Sequence, residues 1–417
     1  MNNNQGQLFD DELSNEIRDK FYHVDVDPIN ETKRMFFDNA GGALRLKAAN
    51  DKLKKIDELP DCQEHSNQTA RWLKNIHSDG IQAARIILNA EAGSILTSLT
   101  ASKLMFDMVR SIIRNVPGDN VVTTELEHPS VFDSVVTFAK ETNKEVRVAK
   151  TNSKTGGVDV NEIINLVDEN TCLLNVIYAS NITGSVLDVE TITKRSREIK
   201  PDLFIAVDAV QHVPHGIIDL KKTPVDAINF APYKFCGPRG FGVGYMSERA
   251  SILNHDKLRA APKDAWELGV PPTGHFAALS ELVDYICWIG TNFIDSNDKR
   301  KLYVEGMKRI NLHERALMYH ALNGIENIDG ARAFPENNDL SSRDFILPII
   351  FNNLSHKEAV KKYEEKNIIV FERLETSPFS GRILRSFDLD GVIRVSPLHC
   401  HNLNDIKKFL KATNEIV

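Results

Sequence analysis

Between about residues 44 and 250, short runs rich in β-branched residues alternate with stretches of helical pattern: "NVVTTE" (120–125), "EVRVAK" (145–150), "CLLNVIYAS" (172–180), "LFIAVDA" (203–209) and "DAINFA" (226–231). Most of these runs are uniformly apolar rather than alternating, as strands buried on both faces are, and the segments between them are long enough for crossover helices. The pattern predicts an α/β fold built on a mostly parallel sheet. After a helical stretch at about 274–323 come "DFILPIIF", a helix opened by Ser355 with Glu358 three residues on as a capping box, "NIIVFERL", "GVIRVSPL" and a last helix from Asn402. The expected organisation is a large domain over 35–298, a smaller α+β domain over 299–417, and an N-terminal segment, 1–34, packing on the small domain.

The remaining bulk properties exclude several classes of function. The 417-residue chain is 42% hydrophobic and 26% charged, ordinary for a globular protein with a large core. Its net charge of −7 is spread out and includes no basic block, which argues against nucleic acid as a partner. The start, "MNNNQGQLFDDELSNEIRDKF", has neither the positive nor the apolar region of a signal peptide, and no apolar run approaches the ~20 residues that span a bilayer. A cytoplasmic protein without a membrane partner is expected. Five scattered cysteines (Cys62, Cys172, Cys236, Cys287 and Cys400) with no CxxC pair predict reduced thiols and neither a disulfide framework nor a metal site.

Ligands of an open parallel sheet bind outside the carboxyl ends of its strands. Three polar groups fall at those ends: Asn181 in "YASNITG", Asp208 and Gln211 in "VDAVQH", and Lys234 in "NFAPYKFCGPRGFGVGY". Taken singly each reads as an ordinary strand end or turn; together they ask for a common ligand. A lysine in an apolar setting has a lowered pKa and becomes an amine nucleophile able to form a Schiff base. An aspartate facing a pyridine nitrogen keeps that nitrogen protonated, which makes the ring an electron sink. The pairing fits pyridoxal phosphate, and the glycines after the lysine let the backbone pass close to a cofactor.

The ordered motifs "FFDNAGGA" (36–43), "TSLTAS" (97–102), "ELEHPSV" (125–131), "YASNITG" (178–184), "VDAVQ" (207–211), "YKFCGPRGFGVGY" (233–245) and "WELGVPP" (266–272) resemble the class V aminotransferase fold, particularly its cysteine desulfurase and selenocysteine lyase branch. The resemblance covers roughly 35–417 and implies a fold type I enzyme dependent on pyridoxal 5'-phosphate, acting on a small amino acid and working as a homodimer. By position, Lys234 resembles the Schiff-base lysine, Asp208 the partner of the pyridinium nitrogen and His128 the histidine stacked on the ring, which makes these three the expected catalytic residues. Gln211 and Asn181 resemble residues near the ring oxygen and the substrate. Thr100 and Ala101, opening a helix, resemble part of the phosphate cradle, where free N–H groups suit an anion, and Tyr233 takes the place of a phosphate-binding histidine. Arg394 sits where the family keeps the arginine for the substrate carboxylate, a natural bidentate partner. His65, with Asn67 and Gln68, falls in a region the family turns towards substrate.

The departures matter as much. Cysteine desulfurases pass sulfur to a cysteine in a mobile loop, but residues 369–396 contain none; Cys236 and Cys400 are the nearest substitutes in sequence. Ala231 stands for a phosphate-binding serine and Val270 for a threonine reaching the neighbouring subunit's cofactor, while Arg239 could offset the lost phosphate binding. Three readings stand: a C–S lyase acting on cysteine or a related amino acid, with an unknown sulfur acceptor; a class V aminotransferase or amino-acid epimerase, neither of which needs a loop thiol; and a non-catalytic binding protein on the same fold.

Overall fold

The computed structural model describes residues 5–336 and 339–417; the first four residues of the N-terminal segment lie outside the described residues. After a two-residue strand, β1 (Met35–Phe36), the larger unit supplies β2 (Ser94–Ser98), β3 (Asn120–Thr124), β4 (Glu145–Ala149), β5 (Thr171–Ile177), β6 (Phe204–Asp208), β7 (Ala227–Phe230) and β8 (Gly242–Met246). These seven form one sheet in the order β2-β8-β7-β6-β5-β3-β4. The pairs from β4 across to β7 are parallel, and β8 is antiparallel to both β7 and β2. Strands β3, β5 and β8 are buried throughout, whereas β4 at the edge exposes Glu145 and pairs Arg147 with Asp168 at 2.6 Å. Uniform burial is what a sheet covered by helices on both faces requires, and a charged edge strand resists further pairing.

Two antiparallel steps, β7 to β8 and β8 to β2, restore the direction of β2 to that of β5, β6 and β7. The chain therefore leaves β2, β3, β5, β6 and β7 at the same edge of the sheet, where the motifs that follow them must meet. Strand β8 was not evident in the sequence because its glycines weaken strand propensity.

The smaller unit contains β9 (Ala331–Ala333), β10 (Leu347–Phe351), β11 (Ile368–Ile369), β12 (Phe371–Leu374) and β13 (Gly391–Val395). Four of these pair antiparallel in the order β12-β13-β10-β9, and β11 pairs in parallel with β1. The capping box of Ser355 and Glu358 is formed, and Asn402 caps the last helix, Leu403–Ile416. The helical stretch after 273 is two helices, Thr273–Thr291 and Lys299–Ile325. The second joins the two units: Leu302, Tyr303, Met307 and Ile310 pack in the large core, while Leu317, Met318, Ala321 and Ile325 pack in the small one. The N-terminal segment touches both as well. Phe21 and Ile17 share a cluster with Leu44, Leu46 and Tyr285, the Phe9 amide donates to His313 at 3.0 Å, and Arg18 reaches Asp405 at 2.8 Å.

Helices Thr273–Thr291 and Lys299–Ile325 approach closely at Gly306, where a Cβ would lie 2.1 Å from the Ile286 carbonyl oxygen. Alanine there gains ~1 kcal/mol of helix propensity but overpacks a backbone contact at about 1–3 kcal/mol, so the clash wins. Gly306→Ala is expected to lower the melting temperature by about 2–4 °C in calorimetry; an unchanged or higher value would mean that the helices part freely.

Candidate active site

At the shared strand edge lies a cavity of about 380 Å³. Thr100 and Ala101 line it from beyond β2, His128 from beyond β3, Asn181 from beyond β5, Asp208 and Gln211 from the end of β6, and Tyr233 and Lys234 from beyond β7. These eight residues come from five separate segments of the chain, which meet because the parallel crossovers return each strand to the same edge.

Lys234 sits on a tight turn in which its own amide bonds to the Ala231 carbonyl at 2.9 Å and the Gly237 amide to the Pro232 carbonyl at 2.8 Å. The side chain is buried and its Nζ donates to the Ala40 carbonyl. Burial holds the amine down at about 7; Arg394, Arg373 and Arg239 add to the depression and Asp38 opposes it. Asp208, the last residue of β6, accepts from the Val210 amide at 3.0 Å, and burial raises its carboxyl to about 6 against that bond and the Lys234 charge. His128 caps the helix Pro129–Glu141, with Nδ1 2.7 Å from the Ser130 hydroxyl. Burial, then the charges of Lys234, Arg373 and Arg382, hold its imidazole at about 4, so the ring is neutral at pH 7. Behind it, Glu127 is pushed up to about 8 by burial, despite bonds from Thr124 and the Ile177 amide.

Thr100 caps the 15-residue helix Ala101–Asn115. Its N-terminus is held against the sheet by Asn229, whose Nδ2 donates to the Ala101 carbonyl at 3.0 Å, and by Gly242, where a Cβ would lie 2.5 Å from the Ala101 nitrogen. Only glycine allows so close an approach. Arg239 lines the same cavity, with its guanidinium 4.7 Å from the Tyr233 ring centroid.

This set fits pyridoxal phosphate. Gln211 Oε1, Asn181 Oδ1 and Asn229 Oδ1 are buried without a hydrogen-bond partner among the described residues, an arrangement that is costly unless a ligand completes it. A helix N-terminus suits a phosphate, a buried carboxylate suits a protonated ring nitrogen, and a desolvated amine suits a carbonyl carbon.

The other predicted residues are placed differently. Arg394, on β13, is buried just outside the cavity, with Nη2 2.7 Å from Asp38 and Nη1 donating to the Asn181 carbonyl at 3.0 Å. His65 does not reach this cavity; it lines a separate one of about 560 Å³ with Arg71, Lys74 and His77. Asn67 caps the helix Gln68–Leu88, its Oδ1 accepting from the Ala70 amide at 2.8 Å, and Gln68 is the first residue of that helix. Cys236 and Cys400 are buried and line no part of the main cavity; burial pushes the Cys236 thiol up to about 12 and raises that of Cys400 well above its ordinary value. Val270 is exposed.

Sequence reasoning had not singled out Asp38, Arg373 and Glu127. Asp38 lies within the quoted "FFDNAGGA", but its partner Arg394 is 356 positions away. For Arg373 the available signal was weak, since it follows another charged residue, Glu372, at the end of an apolar run.

Comparison with known proteins follows the same lines. The family model for Aminotransferase class-V matches residues 35–409. A protein of Borreliella burgdorferi named probable cysteine desulfurase is 24% identical over 318 residues, covering 72% of this chain and 70% of that protein. Among solved structures, a cysteine desulfurase from Thermococcus onnurineus NA1 superposes with a TM-score of 0.81 at 18% identity, over 97% of this chain and 98% of that one. A cysteine desulfurase from Escherichia coli gives a TM-score of 0.78 at 18% identity, over 98% and 99%. At such identities the superpositions establish the shared fold, and the family match covers most of the chain. The chain belongs to the aminotransferase class-V family and is a pyridoxal-phosphate-dependent enzyme of fold type I.

Proposed function

We propose that this enzyme is a lyase that breaks the C–S bond of cysteine or a related small amino acid, and that it does so without loading sulfur on a thiol of its own. The observation that carries this reading is the meeting of Lys234, Asp208 and His128 in one cavity that no cysteine of the described residues lines. The relatives named cysteine desulfurase support the sulfur substrate.

When bound, pyridoxal phosphate supplies an electron sink for bonds broken at the substrate's α-carbon. Thr100 and Ala101 present helix N-terminal amides to its phosphate, with Tyr233 and Arg239 alongside, while Gln211 and Asn181 offer their unpartnered amide oxygens to its polar edge. Asp208, largely ionised at pH 7, would hold a proton on the ring nitrogen of the bound group. His128, neutral at pH 7, would line the ring's side of the cavity without adding charge. Lys234 provides the attaching amine and then takes the proton from the α-carbon, a role suited to a base titrating near neutral pH. Arg394, braced by Asp38, receives the substrate carboxylate. The loop between β12 and β13 carries no thiol, so the carbon skeleton leaves as a keto acid: cysteine and water give pyruvate, ammonia and hydrogen sulfide.

The reading includes a homodimer in the cytoplasm. Leu99, 77% exposed at the cavity wall, and exposed Leu268 and Val270 offer apolar surface for a second copy to cover. Among the described residues no helix is long and apolar enough to cross a membrane.

With L-cysteine the purified holoenzyme is expected to yield pyruvate, ammonia and sulfide by mass spectrometry and colorimetry. The paired substitution Cys236→Ala, Cys400→Ala, which adds no buried hydroxyl, should leave the products unchanged, because neither thiol lines the cavity. Alanine with a protein persulfide would instead overturn the thiol-free route. Lys234→Ala should cost at least ~10²-fold in turnover, the usual scale for losing a positioned acid–base group.

The pH dependence follows from the lowered lysine pKa. Because the neutral amine is the nucleophile and predominates above about 7, capture of pyridoxal phosphate by the apoenzyme should accelerate from pH 5 and level off above pH 7–8. A capture rate that keeps rising to pH 10 would show an ordinary, solvated lysine.

A further inference from the structure

The turn that brings His128 to the cavity, residues 125–128, lies between the end of β3 and the helix Pro129–Glu141. The carbonyls of Glu125 and Glu127 therefore belong to neither element and need partners from elsewhere. The partner comes from the small unit. The connection from β12 to β13 holds a short helix, Gly381–Ser386, and its Arg382 reaches across: Nη1 donates to the Glu125 carbonyl and Nη2 to the Glu127 carbonyl, 257 and 255 positions away. The same guanidinium lies 4.0 Å from the ring centroid of Phe132, on the helix that His128 caps. A planar fork can hold two carbonyls and stack on a ring at once, which an ammonium cannot. At the other end of the short helix the Ser386 carbonyl accepts from the Thr151 hydroxyl at 3.0 Å, and the Thr151 amide donates to the Glu125 carboxylate at 3.1 Å.

What this grip controls follows from covalent geometry. The Glu127 carbonyl belongs to the peptide unit whose nitrogen is that of His128, and a peptide unit is planar, so fixing that oxygen fixes the plane from which the His128 side chain departs. The large unit holds the preceding side chain by itself: Glu127 Oε1 accepts from the Thr124 hydroxyl and the Ile177 amide, each at 2.8 Å. Arg382 adds the direction of the peptide. It forms no ion pair with a carboxylate among the described residues, although Glu127, Asp133 and Glu125 act on its charge, so its hydrogen bonds are spent on this turn.

We propose that Arg382 is a positioning residue that acts through His128: from the small unit it sets the plane of the peptide joining Glu127 to His128, and so holds the imidazole at the ring's side of the cofactor cavity. This rests on His128 lining the cofactor ring and on no assumption about the substrate. Coupling between two binding events is reciprocal, so the bound cofactor must in turn strengthen the clamp.

The first test strips the full-length holoenzyme of cofactor and titrates it with pyridoxal phosphate, following the absorption and circular dichroism of the bound cofactor band. Arg382→Met keeps an apolar stem against Phe132 and loses both hydrogen bonds; it is expected to raise the dissociation constant about 10-fold, the lower end for hydrogen bonds to a charged group, and to weaken the dichroism. His128→Asn keeps a helix cap and removes the ring. In that background Arg382→Met should cost no more than about twofold, because residues that act through one another are not additive. Arg382→Lys should recover only part of the loss. Equal losses in the two backgrounds would show a general structural role and overturn the proposal, as would an unchanged constant in Arg382→Met or in His128→Asn. The second test needs no variant to fold. Hydrogen exchange of the wild-type chain, with and without pyridoxal phosphate, is expected to slow together in residues 125–131 and 381–386 when the cofactor binds; slowing in the first segment alone would overturn the clamp. Neither test uses a substrate, so the lyase reading stands or falls separately, on the products formed from L-cysteine.

Discussion

A primary amine kept out of water at the edge of a parallel sheet is the constraint on which the rest of this molecule depends. Solvated, Lys234 would be an inert cation at neutral pH; buried, it titrates near 7 and can act as nucleophile and base. Keeping it there requires a wall on every side. The Lys234 turn closes one side, and the strap after β1 closes another by bringing the Ala40 carbonyl onto Nζ. The small unit contributes charge: Arg394 on β13 and Arg373 on β12 help hold the amine down. The long helix Lys299–Ile325 and the N-terminal segment are packed into both units.

Electrostatics around the amine follow from the same burial. Arg394, Arg373 and Arg239 surround it, and Asp38 and Asp208 are the nearby anions, so the site is poised for negatively charged ligands. The turn carrying Asp208 and Gln211 is fastened from below by a buried ion pair, His215 Nδ1 to Glu314 at 2.7 Å. Burial pushes His215 down, but the Glu314 charge and hydrogen bond outweigh it and leave the imidazole at about 9. Burial likewise pushes Glu314 up, and His215 with His399 brings it to about 2. Because Glu314 also accepts from the His399 amide at 3.0 Å, one carboxylate ties the turn after β6 to the joining helix and to the small unit. The position of Asp208 is thereby coupled to the docking of the two units.

Much of the architecture was legible in the chain because it rests on local pattern. Runs such as "CLLNVIYAS" have no polar face, so the strand they form must be covered on both sides, and Lys234, Asp208 and Asn181 follow such runs directly. Strand β8 was hidden for the opposite reason: its glycines weaken the strand signal, and Gly242 is needed because a helix start presses on the backbone there. A polar loop reads alike whether it faces a ligand or caps a helix: Asn67 is the cap, and within this chain His65 lines a separate cavity.

The sequence by itself determined that strand ends bearing a lysine, an aspartate and an asparagine would reach one edge of a parallel sheet, because hydrophobic period and crossover handedness leave the chain few alternatives. Only the tertiary structure decided which distant groups fasten that edge. The Arg394–Asp38 contact joins residues 356 positions apart, and Arg382 reaches the Glu127 carbonyl across 255. Neither burial nor the choice of a partner is a property of a residue; both belong to the space in which the fold places it.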